Sequence, residues 1–168
     1  MPVVVAVVRE SAAGERRVAL TPEVAKKLKA RGAQIVMERG AGESAYFADS
    51  AYTDCETVAD ASSALARADV LLKVQPPTPR EIEALKEGAV VIGHLQPHLA
   101  PERTKALRDR KITSFGMELL PRTTRAQAMD VLSSQAAVAG YKAVLIAAEV
   151  APKFFPMLTT AAGTIRPS

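Results

Sequence analysis

Five short apolar runs, separated by segments of helical character, constrain the fold of this chain more than any other feature. The first, Val3 to Val8, is rich in β-branched residues, which is typical of a strand buried on both faces of a sheet. Four later runs have similar character, at 33–39, 69–75, 89–94 and 112–118. Because these runs alternate with helical segments, they predict a mainly parallel sheet of five or more strands.

The segments between the runs carry helix signals. Thr21-Pro22-Glu23 places a capping residue before a proline at the first helical position, and Gly32 is suited to end that helix. Further helices are predicted over 58–68, 80–87, 100–111 and about 125–151. The predicted fold is therefore α/β in three layers, with helices on both faces of the sheet and a long C-terminal helix.

Composition excludes several classes of function. The 168 residues carry a formal net charge of +4, and acidic and basic residues are interleaved, so no nucleic-acid surface is predicted. The single cysteine, Cys55, cannot form an internal disulfide, and no Cys/His spacing indicates a metal site. Residues 1–10 lack the basic start of a signal peptide. The apolar run at 143–148 is far shorter than the ~20 residues that cross a bilayer, so no direct membrane span is predicted.

Charged side chains follow the predicted strands where these strands end. Arg16 and Arg17 lie in the loop after the first strand, Lys73 lies near the end of the third, and His94 ends the fourth. Glu118 ends the fifth. Ligands of open parallel sheets bind beyond the carboxyl ends of the strands. These residues therefore predict a site for a polar, anionic small molecule.

Each of these residues also has a structural interpretation. Lys73 interrupts an apolar strand, where an unpaired ammonium is costly to bury, so a site role competes with an ammonium that reaches solvent at the strand end. His94 fits a ligand contact or a hydrogen-bonded structural histidine equally well, whereas His98 fits a loop. Glu118 could pair with a nearby arginine. The glycine-rich stretch at 40–44 lacks the third glycine of GxGxxG and is predicted to be a tight turn.

Polar groups are concentrated at the start of the last predicted helix. The stretch from Arg122 to Asp130 contains two arginines, a glutamine and an aspartate, and no further charge occurs before Lys142. A surface helix usually spreads its charges along one face. The polar stretch is therefore predicted to contact a ligand. The residues that follow, rich in Ala, Gly, Ser and Val, are predicted to pack closely against a neighbouring domain or a second subunit.

A known family carries similar motifs. The stretches are "RESAAGERRVALTPEVAKKL", "MERGAGESAYFAD", "LLKVQPP", "PRTTRAQAMDVLSSQAAVAGYKAV" and "FPMLTTAAGTIRP". Together they resemble the NAD-binding subunit of proton-translocating nicotinamide nucleotide transhydrogenase, and "RAQAMDVLSSQ" is the most specific of them. Alanine dehydrogenases are similar in the early motifs, with an arginine before "VALTP" and a lysine in "LLKV", and less similar in the "RAQ" segment.

The resemblance implies an enzyme that passes hydride directly from NADH to NADP+ while protons cross a membrane. One component holds NAD(H), a partner component holds NADP(H), and a transmembrane component conducts protons. The residues that match the nicotinamide-binding loop are Arg122, Gln127, Asp130 and Ser133. Gln127 and Asp130 would position the ring for hydride transfer, and no residue would act as an acid or base.

The likeness to alanine dehydrogenases implies a second set of residues. By that likeness, Arg17, Lys73 and His94 match the substrate-binding arginine, lysine and histidine, the histidine less securely because the intervening loop differs in length. An alternative function is therefore that of an alanine dehydrogenase-type amino-acid oxidoreductase fragment. A further alternative is a non-catalytic domain that dimerises through the charge-poor helix.

The resemblance also implies how the chain is organised. We expect an N-terminal α/β domain over 1–124 and a connecting helix and tail over 125–168, followed in the family by a nucleotide-binding Rossmann domain that carries GxGxxG. We expect the 168 residues alone to be inactive. The expected assembly is a homodimer bound to the partner components. The expected location is cytoplasmic, at the inner face of the cell membrane.

Overall fold

The computed structural model describes residues 2–166, which form two compact units. The first unit extends to Pro121, and the second begins at Arg122. The end of the predicted tail, Pro167 and Ser168, lies outside the described residues.

The first unit is built on a six-stranded parallel sheet with the order β3-β2-β1-β4-β5-β6. The strands are β1 (Val4–Val7), β2 (Gln34–Glu38), β3 (Glu56–Val58), β4 (Val70–Leu72), β5 (Val90–Gly93) and β6 (Thr113–Gly116). The order reverses direction between β1 and β4. The carboxyl ends of these two strands therefore form the topological switch point of a doubly wound sheet.

Four helices connect the strands of the first unit, and most begin at a recognisable start signal. They are α1 (Pro22–Ala30), α2 (Ala61–Leu65), α3 (Pro79–Ala84) and α4 (Pro101–Asp109). Asp60 caps α2, and a reciprocal capping box between Thr78 and Glu81 starts α3. Leu107 is the buried anchor of α4.

The strand residues alternate between two apolar cores, as a parallel sheet covered on both faces requires. Val7, Ile35 and Met37 share one core with Leu20 and Ala25, the buried residue of α1. The opposite core combines residues of α2, α3 and α4 with residues in or next to the strands: Ala6, Val8, Val36, Leu71 and Val91. The predicted α/β fold in three layers is therefore confirmed.

The structure corrects several predicted boundaries. Val58, predicted to start a helix, instead ends the additional strand β3, and the helix begins only at Ala61. The helix predicted to end at Gly88 ends at Ala84, because Leu85 has extended backbone angles. The last helix does not run from Arg125. A 3-10 helix spans Thr124–Met129, and α5 (Val131–Val150) begins after Asp130.

The second unit consists of this 3-10 helix, α5 and a two-stranded antiparallel hairpin of β7 (Leu158–Thr160) and β8 (Gly163–Ile165). Large apolar side chains are exposed along α5: Leu132, Val138, Tyr141, Val144, Leu145, Ile146 and Val150. By length and composition alone, α5 could cross a membrane. The run at 143–148 is thus only part of a longer apolar helix, and the absence of a direct membrane span stays a prediction.

Candidate functional site

A buried ionic cluster occupies the switch point of the sheet. Lys73 directly follows β4, and its Nζ lies 3.1 Å from Oε2 of Glu10 and 3.0 Å from Oε1 of Glu81. The side chains of Lys73 and Glu10 are only 1% and 3% exposed. Buried charges are stable only when they are paired and hydrogen-bonded, and this ammonium has two carboxylate partners from different segments of the chain. Lys73 is therefore buried, and its ammonium does not reach solvent.

Glu10 also binds the backbone beyond β4. Its Oε1 accepts a hydrogen bond from the N–H of Val74 at 2.6 Å, and its Oε2 accepts one from the N–H of Gln75 at 3.3 Å. One carboxylate thus fixes three consecutive residues of the chain as they leave the sheet. Glu10 itself stands three residues after β1, so this contact joins the two strands at the switch point.

His94 is held by the same segment. Its Nδ1 lies 2.8 Å from the carbonyl oxygen of Val74. A carbonyl only accepts hydrogen bonds, so Nδ1 carries the proton and Nε2 of the neutral ring is an acceptor. The close approach depends on Gly93, since a Cβ there would lie 2.4 Å from the carbonyl oxygen of Lys73.

Arg17 is connected to this segment through Gln75 and Glu15. The Gln75 side chain donates to Glu15 Oε2 at 2.7 Å, and Arg17 donates to both carboxylate oxygens of Glu15 from Nε and Nη2 at 2.8 and 2.7 Å. The hydrogen bond from the Arg17 side chain is the main cause that lowers the pKa of Glu15 to about 2. Arg17, Lys73 and His94 therefore belong to one hydrogen-bonded network.

The neighbouring candidates have other contacts. Burial disfavours ionisation of Glu118, but hydrogen bonds from backbone N–H groups, including those of Gln96 and Leu95, outweigh it and lower the pKa of this carboxyl. The contacts found for Glu118 are therefore backbone N–H groups, whereas the sequence had offered a nearby arginine as an alternative partner. Arg16 donates to the hydroxyl of Tyr46 at 2.5 Å. His98 is an exposed residue between β5 and α4, as predicted for a loop histidine.

The second unit contains the other predicted set within one short stretch. Asp130 caps α5, with its carboxylate accepting hydrogen bonds from the N–H of Ser133 at 3.0 Å and from its Oγ at 2.6 Å. The Ser133 hydroxyl is the main cause that lowers the pKa of Asp130, and the charge of Arg122 contributes. Gln127 is exposed in the 3-10 helix, and its backbone carbonyl accepts from the Asp130 N–H.

The structure thus gathers Arg17, Lys73 and His94 in the first unit, and Arg122, Gln127, Asp130 and Ser133 in the second. Sequence reasoning missed the polar residues that join the first set, namely Glu10, Glu15, Gln75 and Glu81. The capping box that contains Glu81 could have been predicted, because Thr-Pro-Arg-Glu follows a pair of prolines in the sequence. Among the described residues, no group of three His, Cys, Asp or Glu side chains could hold a metal ion.

Known proteins share this fold and these motifs. Residues 6–139 match the family described as "Alanine dehydrogenase/PNT, N-terminal domain". The chain belongs to this family. The predicted resemblance to the transhydrogenase subunit, and its relation to alanine dehydrogenase, are thereby confirmed.

Individual relatives divide between the two enzymes that the family description names. The chain is 45% identical to an NAD(P) transhydrogenase alpha-subunit protein of Rhodospirillum rubrum, over 98% of this chain and 44% of that protein. It is 30% identical to an alanine dehydrogenase of Bacillus subtilis, over 89% of this chain and 39% of that protein. The crystal structure of a transhydrogenase from Sinorhizobium meliloti superposes with a TM-score of 0.92, at 42% identity, covering 98% of this chain and 50% of that chain. The chain spans less than half the length of these curated relatives.

Proposed function

We propose that this chain is the N-terminal portion of the NAD(H)-binding component of an NAD(P) transhydrogenase. In the intact subunit, hydride passes from NADH to NADP+ on a partner component, and a separate membrane component translocates protons. The observation that carries this proposal is the largely exposed polar stretch from Arg122 to Asp130 in a chain 45% identical to a transhydrogenase alpha-subunit protein. The likeness to that relative extends over 98% of the chain.

The chemistry of this stretch suits a nicotinamide. Hydride transfer needs two rings held at close distance and requires no protein nucleophile. The carboxamide of a nicotinamide both donates and accepts hydrogen bonds, and the amide of Gln127 can do the same. Asp130 is fixed by Ser133 at the start of α5, which gives the stretch a defined geometry. We propose that Gln127 and Asp130 orient the ring, with Arg122 and Ser133 beside it.

The experiment separates ring positioning from helix capping. Asn caps helices about as well as Asp, so Asp130→Asn keeps the helix start and removes the charge. In the intact subunit with its partner components, we expect Asp130→Asn and Gln127→Ala to slow hydride transfer by about tenfold or more, with NADH affinity changed less. The measurement is stopped-flow transfer together with equilibrium NADH binding. Unchanged transfer rates in both variants would refute the proposed roles.

A second candidate function is that of an alanine dehydrogenase-type oxidoreductase. The observation that favours it is the network that holds Arg17 and His94 on one segment, with Lys73 at its start. A titration of the full-length protein with pyruvate in the presence of NADH distinguishes the two functions. Oxidation of NADH that depends on pyruvate and ammonium would favour this candidate over transhydrogenation.

We infer that α5 forms a protein interface in a homodimer, on the cytoplasmic side of the membrane. A long helix that carries only two charges and exposes many large apolar side chains is normally covered by other elements. Lys142 lies near the middle of the helix, where a bilayer would impose a cost of about 3 kcal/mol. The abundance of Ala, Gly and Ser along α5 suits close packing against protein. If the intact protein forms a dimer but does not bind nucleotides, the chain would instead be a non-catalytic dimerisation domain.

A further inference from the structure

The switch point of a doubly wound sheet is normally the place where a ligand enters. In this chain, side chains of the protein occupy it. Glu10 follows β1, Lys73 follows β4, and the two are joined at 3.1 Å with side-chain exposures of 3% and 1%. Glu81 of α3 completes the charge pairing at 3.0 Å from Nζ of Lys73.

We propose that Glu10 is the positioning residue of this edge of the sheet, with Lys73 as its internal counter-ion. Glu10 holds the segment of Lys73, Val74 and Gln75 through one ammonium and two backbone N–H groups. This inference goes beyond the proposed function, because it depends on the contacts of the first unit alone.

Two groups on the edge receive their orientation from that segment. The carbonyl of Val74 fixes the His94 ring, so that Nε2 is its acceptor nitrogen. The side chain of Gln75 fixes Glu15, whose carboxylate holds the Arg17 guanidinium at two oxygens. The Glu10 carboxylate thus orients both the acceptor nitrogen of His94 and the guanidinium of Arg17, although these two residues follow different strands.

The geometry of Glu10 makes its carboxylate difficult to replace. Both oxygens accept hydrogen bonds or pair with a charge, through the N–H of Val74, the N–H of Gln75 and Nζ of Lys73. A glutamine at this position would present an NH2 group to one of these donors. The backbone of the segment would then have to move, and the His94 and Arg17 contacts would change with it.

The test reads the orientation of His94 directly. His98→Gln leaves one histidine in the chain, and 15N NMR of its ring at a pH where it is neutral reports which nitrogen carries the proton. We expect the Nδ1–H form in this background and a mixture of both forms after Glu10→Gln. Glu83→Gln, which changes a glutamate on the exposed side of α3, is the matched control and should leave the ring signals unchanged.

A double variant separates positioning from charge balance. Glu10→Gln with Lys73→Met removes both charges, so a role in charge balance alone predicts that the His94 signals return to their original values. We expect them to remain perturbed, because the N–H groups of Val74 and Gln75 still lack the carboxylate. Ring signals unchanged by Glu10→Gln, or fully restored in the double variant, would overturn the proposal.

A second measurement tests the network if Glu10→Gln does not fold. Gln75→Met cuts the link between the segment and Glu15 without removing a charge. We expect the Nε–H signal of Arg17, which donates to Glu15 Oε1 at 2.8 Å, to exchange with water at least several times faster in this variant. An unchanged exchange rate would show that Arg17 does not receive its orientation through Gln75, and would refute that link of the network.

Discussion

At the scale of single residues, the pKa of Glu15 gives a prediction about stability against pH. Arg17 lowers this pKa from 4.5 to about 2. The ionised form of Glu15 therefore stabilises the fold fully at pH values above 4.5. That stability is lost as the pH falls from 4.5 toward 2. Because the Arg17 side chain is 43% exposed, we expect Glu15→Gln to cost only about 1–2 kcal/mol at pH 7.

The measurement compares urea unfolding of the original chain and of Glu15→Gln between pH 7 and pH 3. The difference in free energy of unfolding should decrease by about half or more over this range. Glu83→Gln, on the exposed side of α3, should show a small difference that does not vary with pH. A Glu15→Gln difference that stays constant down to pH 3 would contradict the assigned pairing.

Residues such as Lys73 and His94 could be singled out from the sequence because their types are unusual at strand ends. Their partners could not be identified in the same way. Glu10 contacts the backbone of residues 64 and 65 positions away, and Gln75 reaches a carboxylate 60 positions away. Such pairings depend on the strand order, which places β1 beside β4. Local patterns in the sequence do not reveal that order.

At the scale of elements, the close packing of β4 and β5 predicts the effect of a single methyl group. In Gly93→Ala, the new Cβ would lie 2.4 Å from the carbonyl oxygen of Lys73, and a backbone atom in a buried sheet cannot move away easily. We expect a loss of about 3 kcal/mol in the free energy of unfolding. The same change should also disturb the His94 contact with Val74.

The matched change is Gly140→Ala in α5, where no described atom beyond the helix's own backbone lies within 4 Å of the added Cβ. Alanine is favoured over glycine inside a helix, so this variant should gain about 0.5–1 kcal/mol. Urea unfolding monitored by circular dichroism measures both variants. A Gly93→Ala variant as stable as the original chain would mean that β4 and β5 are not packed as closely as the structure has them.

The elements that the sequence predicted well are those with long apolar patterns or strong boundary residues. The strand around Val3–Val8 and the helix that Pro22 begins are both present. The strand Glu56–Val58 was missed because it has three residues at the edge of the sheet, none of them fully buried. A short edge strand has no apolar alternation, and its pairing with β2 alone defines it.

At the scale of the whole molecule, the charges of α5 make the proposed dimer testable. Lys142 and Glu149 are seven residues apart, which is close to two helical turns, so they share a face with Leu145 and Ile146. An antiparallel pairing of two copies, centred between Leu145 and Ile146, would place Lys142 of one copy beside Glu149 of the other. The two-fold symmetry would form this ion pair twice.

Charge reversal should therefore weaken the dimer, and a second reversal should restore it. Lys142→Glu or Glu149→Lys alone sets like charges opposite each other in both pairs, and we expect Kd to rise by about tenfold. The double variant should recover most of the original affinity, whereas Lys153→Glu beyond the end of α5 should change it little. Sedimentation equilibrium at low salt measures each Kd. Single and double variants that dimerise equally, or a chain that stays monomeric at all concentrations, would exclude this face as the interface and leave α5 to be covered by a different partner.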